Sequence, residues 1–535
     1  MRKLGHSVLC AVLFLITLLP VVALGQAQAQ ETPSGQDQTD STDSTTMCCN
    51  VFLPLIQADG TEFAQQTETD QISAANVTLT QISSDPYTNS TSQHATEVEP
   101  DTFAFGNTVV AATQVGRFFD GGASNIGWAT STNGGVTWTS GFLPGVTKFE
   151  GGGLYDRVSD PAVAYDAAHN VWLVSSLPLL EAGGVHGAAI LTSRSIDGGL
   201  TWGAPVTTAT GADLDKNWIV CDNSATSPYY GHCYTQWDDH GNGNRIKMST
   251  STDGGLTWGP ALNTANNATG LGGQPVVQPN GTVVVPIANA NETAILAFTS
   301  TNGGASWNST VTIATVNDHT VAGSLRTGPL PSAEVDGAGK VFVVWQDCRF
   351  RRGCKNNDIV MSTSTNGTSW SAVARIPIDA TSSKVDHFIP GLAVDPATSG
   401  ATAHLGLTYY YYPVAGCTAT TCQLTVGFIS SVDGGAHWSA PTQLAGPMTL
   451  SWLPSTSQGP MVGDYISTSY VGGTARPAFA VATAKAGSVF NQNLYVPASG
   501  LVAAAGSFVV TSSGEHPVPN AASDHAAAHS PIIHR

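Results

Sequence analysis

The chain has 535 residues, only 11% of them charged, with 38 acidic against 20 basic side chains and a formal net charge of −18. That balance argues against a nucleic-acid partner, because phosphate contact needs a basic face. Fifty-seven glycines and 29 prolines point to many short elements joined by turns.

Arg2 and Lys3 precede an apolar run from Val8 to Leu24, and Ala27-Gln28-Ala29 offers a small-x-small cleavage point. Residues 1–29 are therefore expected to be a secretory signal peptide. No later run is long and apolar enough to span a bilayer as a helix. A secreted or extracellular protein is expected, acting as a monomer. Residues 30–75 are rich in Gln, Thr, Ser and Asp and read as a disordered polar linker.

Residues 76–510 carry a repeat. Ser131-Thr-Asn-Gly-Gly-Val-Thr-Trp138 recurs as Ser195–Trp202, Ser251–Trp258, Ser300–Trp307 and Ser431–Trp438, with a copy one residue shorter at Ser364–Trp370. Each copy lies between strand-like runs, such as Ala188–Ser193 and Pro205–Thr208. Asp-Gly-Gly or Asn-Gly-Gly between such runs predicts a tight hairpin turn. The Asp or Asn can bond the turn's own N–H groups, and glycine supplies positive φ. The Trp is too large for a turn and must pack elsewhere, most simply on the neighbouring unit. These Asp residues are thus read as turn fasteners rather than catalytic acids.

Between the octapeptides runs a second, weaker pattern. Ser159–Asp166, Gln274–Gly281, Glu334–Gly339 and Phe388–Asp395 each join an apolar run to a turn, before a very apolar strand such as Val341–Trp345. One unit then reads as four antiparallel strands, which is a propeller blade. The predicted fold is all-β, a β-propeller of four-stranded blades, with seven blades or, alternatively, six. Residues 446–510 supply a further blade without an octapeptide, and Asn76–Ile82 could close the ring. Residues 511–535 form an Ala/His/Pro tail without regular ligand spacing, read as a solvated disordered tail.

The octapeptides match the Asp box, or BNR repeat, so the chain resembles the sialidase superfamily over about residues 97–510. The resemblance implies action on glycans, as an exo-α-sialidase. It also leaves open a non-catalytic propeller that binds glycan or protein at a cell surface, or hydrolysis of another polysaccharide by paired carboxylates. Whether the chain is an enzyme is left undecided. No cofactor and no metal are expected, and the partner is a carbohydrate or glycoconjugate.

Site candidates cluster just before the inner strands. They include Glu99 and Asp101, Arg157 and Asp160, Asp215, Lys216 and Trp218, Gln274, Arg326, Asp386 and His387, and Asp464 and Tyr465. Blade-to-blade salt bridges are the bland reading of the same residues. The resemblance assigns Asp120, shortly after Arg117, as acid/base. It makes Tyr465 the nucleophile, with Glu334 as its partner. Arg117, Arg157, Arg326 and Trp218 are the substrate-binding candidates. The family's Arg-Ile-Pro motif should precede the first box. Here it occurs only as Arg375-Ile-Pro377, after the fifth, and is read as a coincidence.

Among the nine cysteines, Cys221 with Cys233, Cys348 with Cys354, and Cys417 with Cys422 are close pairs suited to disulfides in an oxidising compartment. Arg349, Arg351 and Arg352 fall in the Cys348–Cys354 loop. They are read as a solvated stapled loop or, alternatively, as a basic finger over the face.

Overall fold

A computed structural model describes residues 77–510. The expected leader, the polar linker and the His-containing tail lie outside the described residues. The described chain is all-β, with only short 3-10 turns besides strands. Antiparallel runs follow one another along it. The first comprises Glu97–Phe105, Thr108–Arg117, Ala123–Ser131 and Thr139–Phe142. The second comprises Arg157–Asp166, Val171–Leu180, His186–Ser195 and the first half of Val206–Cys221. The second half of that long strand opens the third run, with Cys233–Asp239 and Arg245–Ser251. Then come the sheets spanning Gly270–Thr315, Ser332–Arg375 and Asp386–Thr449.

The final run mixes the two ends of the described chain. Ser467–Val471, Thr474–Ala482 and Gln492–Pro497 pair in order, and Leu79–Gln81 then adds to the outside of Gln492–Pro497. The expected closing strand is thus present, as Leu79–Gln81. The first strands of successive runs touch one another in order, and Ser467–Val471 touches Glu97–Phe105, so the succession closes on itself. Glu97 fastens this join: its carboxylate accepts the Leu494 N–H at 2.7 Å and the Ser83 hydroxyl.

The octapeptides do what their residue types demand. In Ser195–Trp202, Asp197 accepts the Thr201 N–H at 2.9 Å and the Thr201 hydroxyl at 2.6 Å. The Ser195 hydroxyl accepts the Gly199 N–H at 2.9 Å. Gly198 and Gly199 both have positive φ, 85° and 83°. The Trp residues pack across runs: Trp202 joins Val110, Ala112 and Ile126 of the first run, and Trp438 joins Phe342 and Met361 of the Ser332–Arg375 sheet. Burial of such rings between sheets adds apolar area to the joins between runs.

The three expected cysteine pairs are disulfides. The arginine loop is a correction. Arg349 and Arg351 are 8% and 1% exposed. Arg349 pairs with Asp347 at 2.8 Å, and Arg351 with Asp358 and Asp379 at 2.6 and 2.5 Å. The Arg349 and Arg351 side chains fold inward because buried carboxylates need these guanidinia, so they form no basic finger, whereas Arg352 stays exposed as a solvated loop would have it.

In the Ser195–Trp202 box the second glycine packs on the preceding run, whereas the first has free space around it. A Cβ on Gly199 would lie 2.7 Å from Val110 Cγ2, while one on Gly198 meets nothing within 4 Å. Gly198→Ala should therefore cost about 1 kcal/mol for the left-handed backbone alone. Gly199→Ala should cost about 1–3 kcal/mol more through overpacking. Equal midpoint shifts in urea melts would contradict this packing role.

Candidate functional site

Four first strands carry a bulge with a non-glycine residue at positive φ: Glu99 (55°), Asp160 (47°), Lys216 (45°) and Ile389 (50°). The strand register shifts at each of these places. Pro100, Pro161 and Pro390 follow three of the four. A bulge re-aims one side chain out of the pleat, at a cost in backbone strain. Here it delivers Glu99, Asp160 and Lys216 into one buried cluster, each 2% exposed or less.

The cluster is densely paired. The Lys216 ammonium lies 3.7 Å from Asp160 and 4.0 Å from Glu99, and sits 4.0 Å over the Tyr465 ring. Arg326 binds Asp464 through two nitrogens, Nε at 2.8 Å and Nη2 at 2.5 Å. Gln114 donates to Glu99 and, at 3.0 Å, to the Ser159 hydroxyl, and Arg117 donates to the Gln114 carbonyl at 2.8 Å. Burial pushes Glu99 up to about 8, against the pull of Lys216. Burial also lowers Arg117 to about 10.

A narrow recess opens beside this cluster. Lys216, Trp218, Gln274, Pro331, Pro390, Asp464 and Tyr465 line it, drawn from five successive runs. Trp218 meets Tyr465 edge-to-face at 5.0 Å. The space inside is about the size of a water and takes no sugar ring as it stands.

A second group lies three residues beyond Arg117. Arg157, 8% exposed in its side chain, holds Asp120 through Nη1 and Glu181 through Nε at 2.7 Å. Asp120 and Glu181 are themselves 55% and 38% exposed. The Phe118 ring lies 4.1 Å from the guanidinium, and Phe119 is exposed.

The predicted residues thus divide. Tyr465, Trp218, Arg117 and Arg326 come together in the buried cluster, and Asp120 and Arg157 pair at the more exposed group. Glu334 lies on Ser332–Val335, where burial and the Asp101 carboxylate push it up to about 8. The Tyr465 hydroxyl donates to the Pro161 carbonyl at 3.0 Å and makes no bond to Glu334. Burial raises the Tyr465 phenol well above its ordinary value.

Gln114 and Glu181 were missed by sequence reasoning. Gln114 had a signal: a Gln stands at the matching place in Thr113-Gln114, Thr235-Gln236 and Trp345-Gln346. Gln346 accepts the Ile389 N–H of the next run at 3.3 Å, as Gln114 reaches Ser159. Glu181 had none, being one acid in a loop.

Asp358, Asp379 and His387 bring ligand atoms within 4.8 Å of one another. Arg351 and Arg375 already bind both carboxylates, Arg375 at 2.9 and 2.6 Å, so the chemistry is that of an ion-pair network rather than a cation site. Arg375-Ile-Pro377 belongs to this network.

Residues 189–391 match the family described as the BNR repeat-like domain. The chain carries a BNR repeat-like domain. The BNR repeat read from the octapeptides is matched over that segment. No curated protein matches the chain. Among solved structures, it is similar to a protein of unknown function from Dyadobacter fermentans DSM 18053, at 15% identity and a TM-score of 0.43, covering 66% of this chain and 99% of that one. It is also similar to the leech intramolecular trans-sialidase complexed with 2,7-anhydro-Neu5Ac (13%, TM-score 0.40, 64% and 67% covered). A third is the α-L-arabinofuranosidase of Fusarium graminearum with an iminosugar inhibitor (13%, TM-score 0.37, 66% and 98% covered). Identities this low say nothing of substrate.

The buried acids of this chain set a pH dependence. Burial pushes Glu97 and Asp101 up to about 7, and Glu99 and Asp386 up to about 8. Unfolded, these groups titrate near pH 4. Between about pH 5 and 8 the folded chain holds more protons, so stability falls as pH rises. The melting temperature should drop from pH 5.5 to 8.5, and less steeply in Glu99→Gln. A flat or rising profile would contradict these burials.

Proposed function

We propose that this chain is an exported, sialidase-like β-propeller that acts on extracellular glycans. The antiparallel runs then count as seven blades over residues 76–510, the last closed by Leu79–Gln81. Residues 1–29 are its signal peptide, and the three disulfides fit an oxidising destination. Among the described residues no helix is long and apolar enough to cross a membrane. The carrying observation is the half-exposed Asp120 carboxylate, fixed by the buried Arg157 guanidinium. A carboxyl held in place yet open to solvent suits proton transfer to a glycosidic oxygen.

In the exo-α-sialidase form of this reading, Asp120 is the acid/base, Tyr465 the nucleophile and Glu334 its partner, with Arg117, Arg157, Arg326 and Trp218 holding the sugar. A second reading, a non-catalytic glycan- or protein-binding propeller, is favoured by Tyr465. A nucleophilic phenol needs a base in reach and a lowered pKa. This one is buried, bonded to a carbonyl, and raised.

Fluorogenic sialosides and neutral glycosides tested with the exported protein separate the two readings. Catalysis predicts turnover that Asp120→Asn lowers about 10²-fold or more and that Tyr465→Phe abolishes only in the sialidase form. Absent turnover with retained glycan binding selects the binder.

A further inference from the structure

We propose that the recess beside Trp218 is a subsite for a hydroxyl of an uncharged sugar, and that it discriminates against acidic sugars. This rests on the glycan reading above, not on its sialidase form. Lys216 is the first ground. It is 2% exposed, its ammonium donates a hydrogen bond to no protein group, and it lines the recess. Its carboxylate neighbours, at 3.7 and 4.0 Å, are too far for good hydrogen bonds. An ammonium carries three donors, and a buried donor left unmade is costly, so a ligand hydroxyl reaching Lys216 relieves that cost.

The other walls suit a neutral polyol. Asp464 and Gln274 offer acceptors, Pro331 and Pro390 offer apolar faces, and the partly exposed Trp218 ring borders the opening. The narrowness admits one hydroxyl while the rest of the ring stays at the mouth against Trp218.

A carboxylated sugar meets a different situation. Its recognition calls for a guanidinium fork. The fork of Arg326 is engaged by Asp464 through Nε and Nη2, Arg157 is held between Asp120 and Glu181, and Arg117 donates to Gln114. Asp464 itself lines the recess and would face the incoming carboxylate. The one cation in the wall, Lys216, already has two carboxylates within 4.0 Å.

The test is titration calorimetry of the whole exported protein with galactotriose, arabinotriose and cellotriose against 3′-sialyllactose. The expected result is at least one neutral trisaccharide bound about tenfold or more tighter than sialyllactose. Trp218→Ala and Lys216→Gln should each weaken that binding about tenfold, the effect of roughly 1.4 kcal/mol. Trp218 sits at the mouth, so its variant reads the site even if Lys216→Gln fails to fold, which circular dichroism reports. Sialyllactose bound as well or better overturns the proposal and leaves the glycan reading standing. Neutral binding that both folded variants retain in full places the sugar elsewhere and also overturns it. Binding of none of these sugars overturns both.

Discussion

Strands that begin side by side around a closed succession crowd their first side chains together. The whole described body depends on how that crowding is resolved. An apolar plug would have sufficed for packing. Instead Glu99, Asp160 and Lys216 are turned inward by bulges, and Arg326, Asp464, Arg117 and Gln114 answer them. Such a network is expensive to desolvate and is a weak source of net stability. It also ties runs together: Lys216 meets Glu99 and Asp160, and Arg326 meets Asp464, each from another run, so a slipped register would leave a buried charge unpaired.

The outer end of the runs is governed by different physics. There the Asp-box turns satisfy themselves, through Asp197 on Thr201 and Ser195 on Gly199, and present a Trp and a glycine to the preceding sheet. Their contribution is apolar and local, and it repeats. The inner end is polar, non-local and different in every run. A repeat protein can therefore keep its architecture through the boxes while its chemistry varies at the bulges, because the two are separated along each strand.

This division bears on function. The residues that a sialidase-type reading brings forward do not share one environment. Asp120 stands half in solvent on the buried Arg157, whereas Tyr465 meets Trp218 edge-to-face with its hydroxyl on the Pro161 carbonyl. The Arg326 and Arg157 guanidinia are engaged by the chain's own carboxylates, and Arg117 by the Gln114 side chain. Glycan chemistry here is better sought at the mouth and at the exposed Asp120 and Glu181 than in the buried centre.

The sequence by itself determined the all-β class, the box turns, the three cysteine pairs and the strand at Asn76–Ile82 that closes the last run. Each is a local signal: turn chemistry, strand alternation and short cysteine spacing are written within a few residues of one another. It also brought most of the cluster's residues into view, although Glu99, Asp160 and Lys216 stand inside the first strands rather than before them. Only the tertiary structure decided which of them meet. Arg349 and Arg351 looked like a solvated loop because their partners, Asp358 and Asp379 among them, are placed by folding. Gln114 and Glu181 passed unremarked for the same reason. Lys216 gained its meaning when strands far apart in sequence brought Glu99, Asp160 and Tyr465 around it. Partner choice among buried charges is set by three-dimensional distance, and no spacing along a chain encodes it.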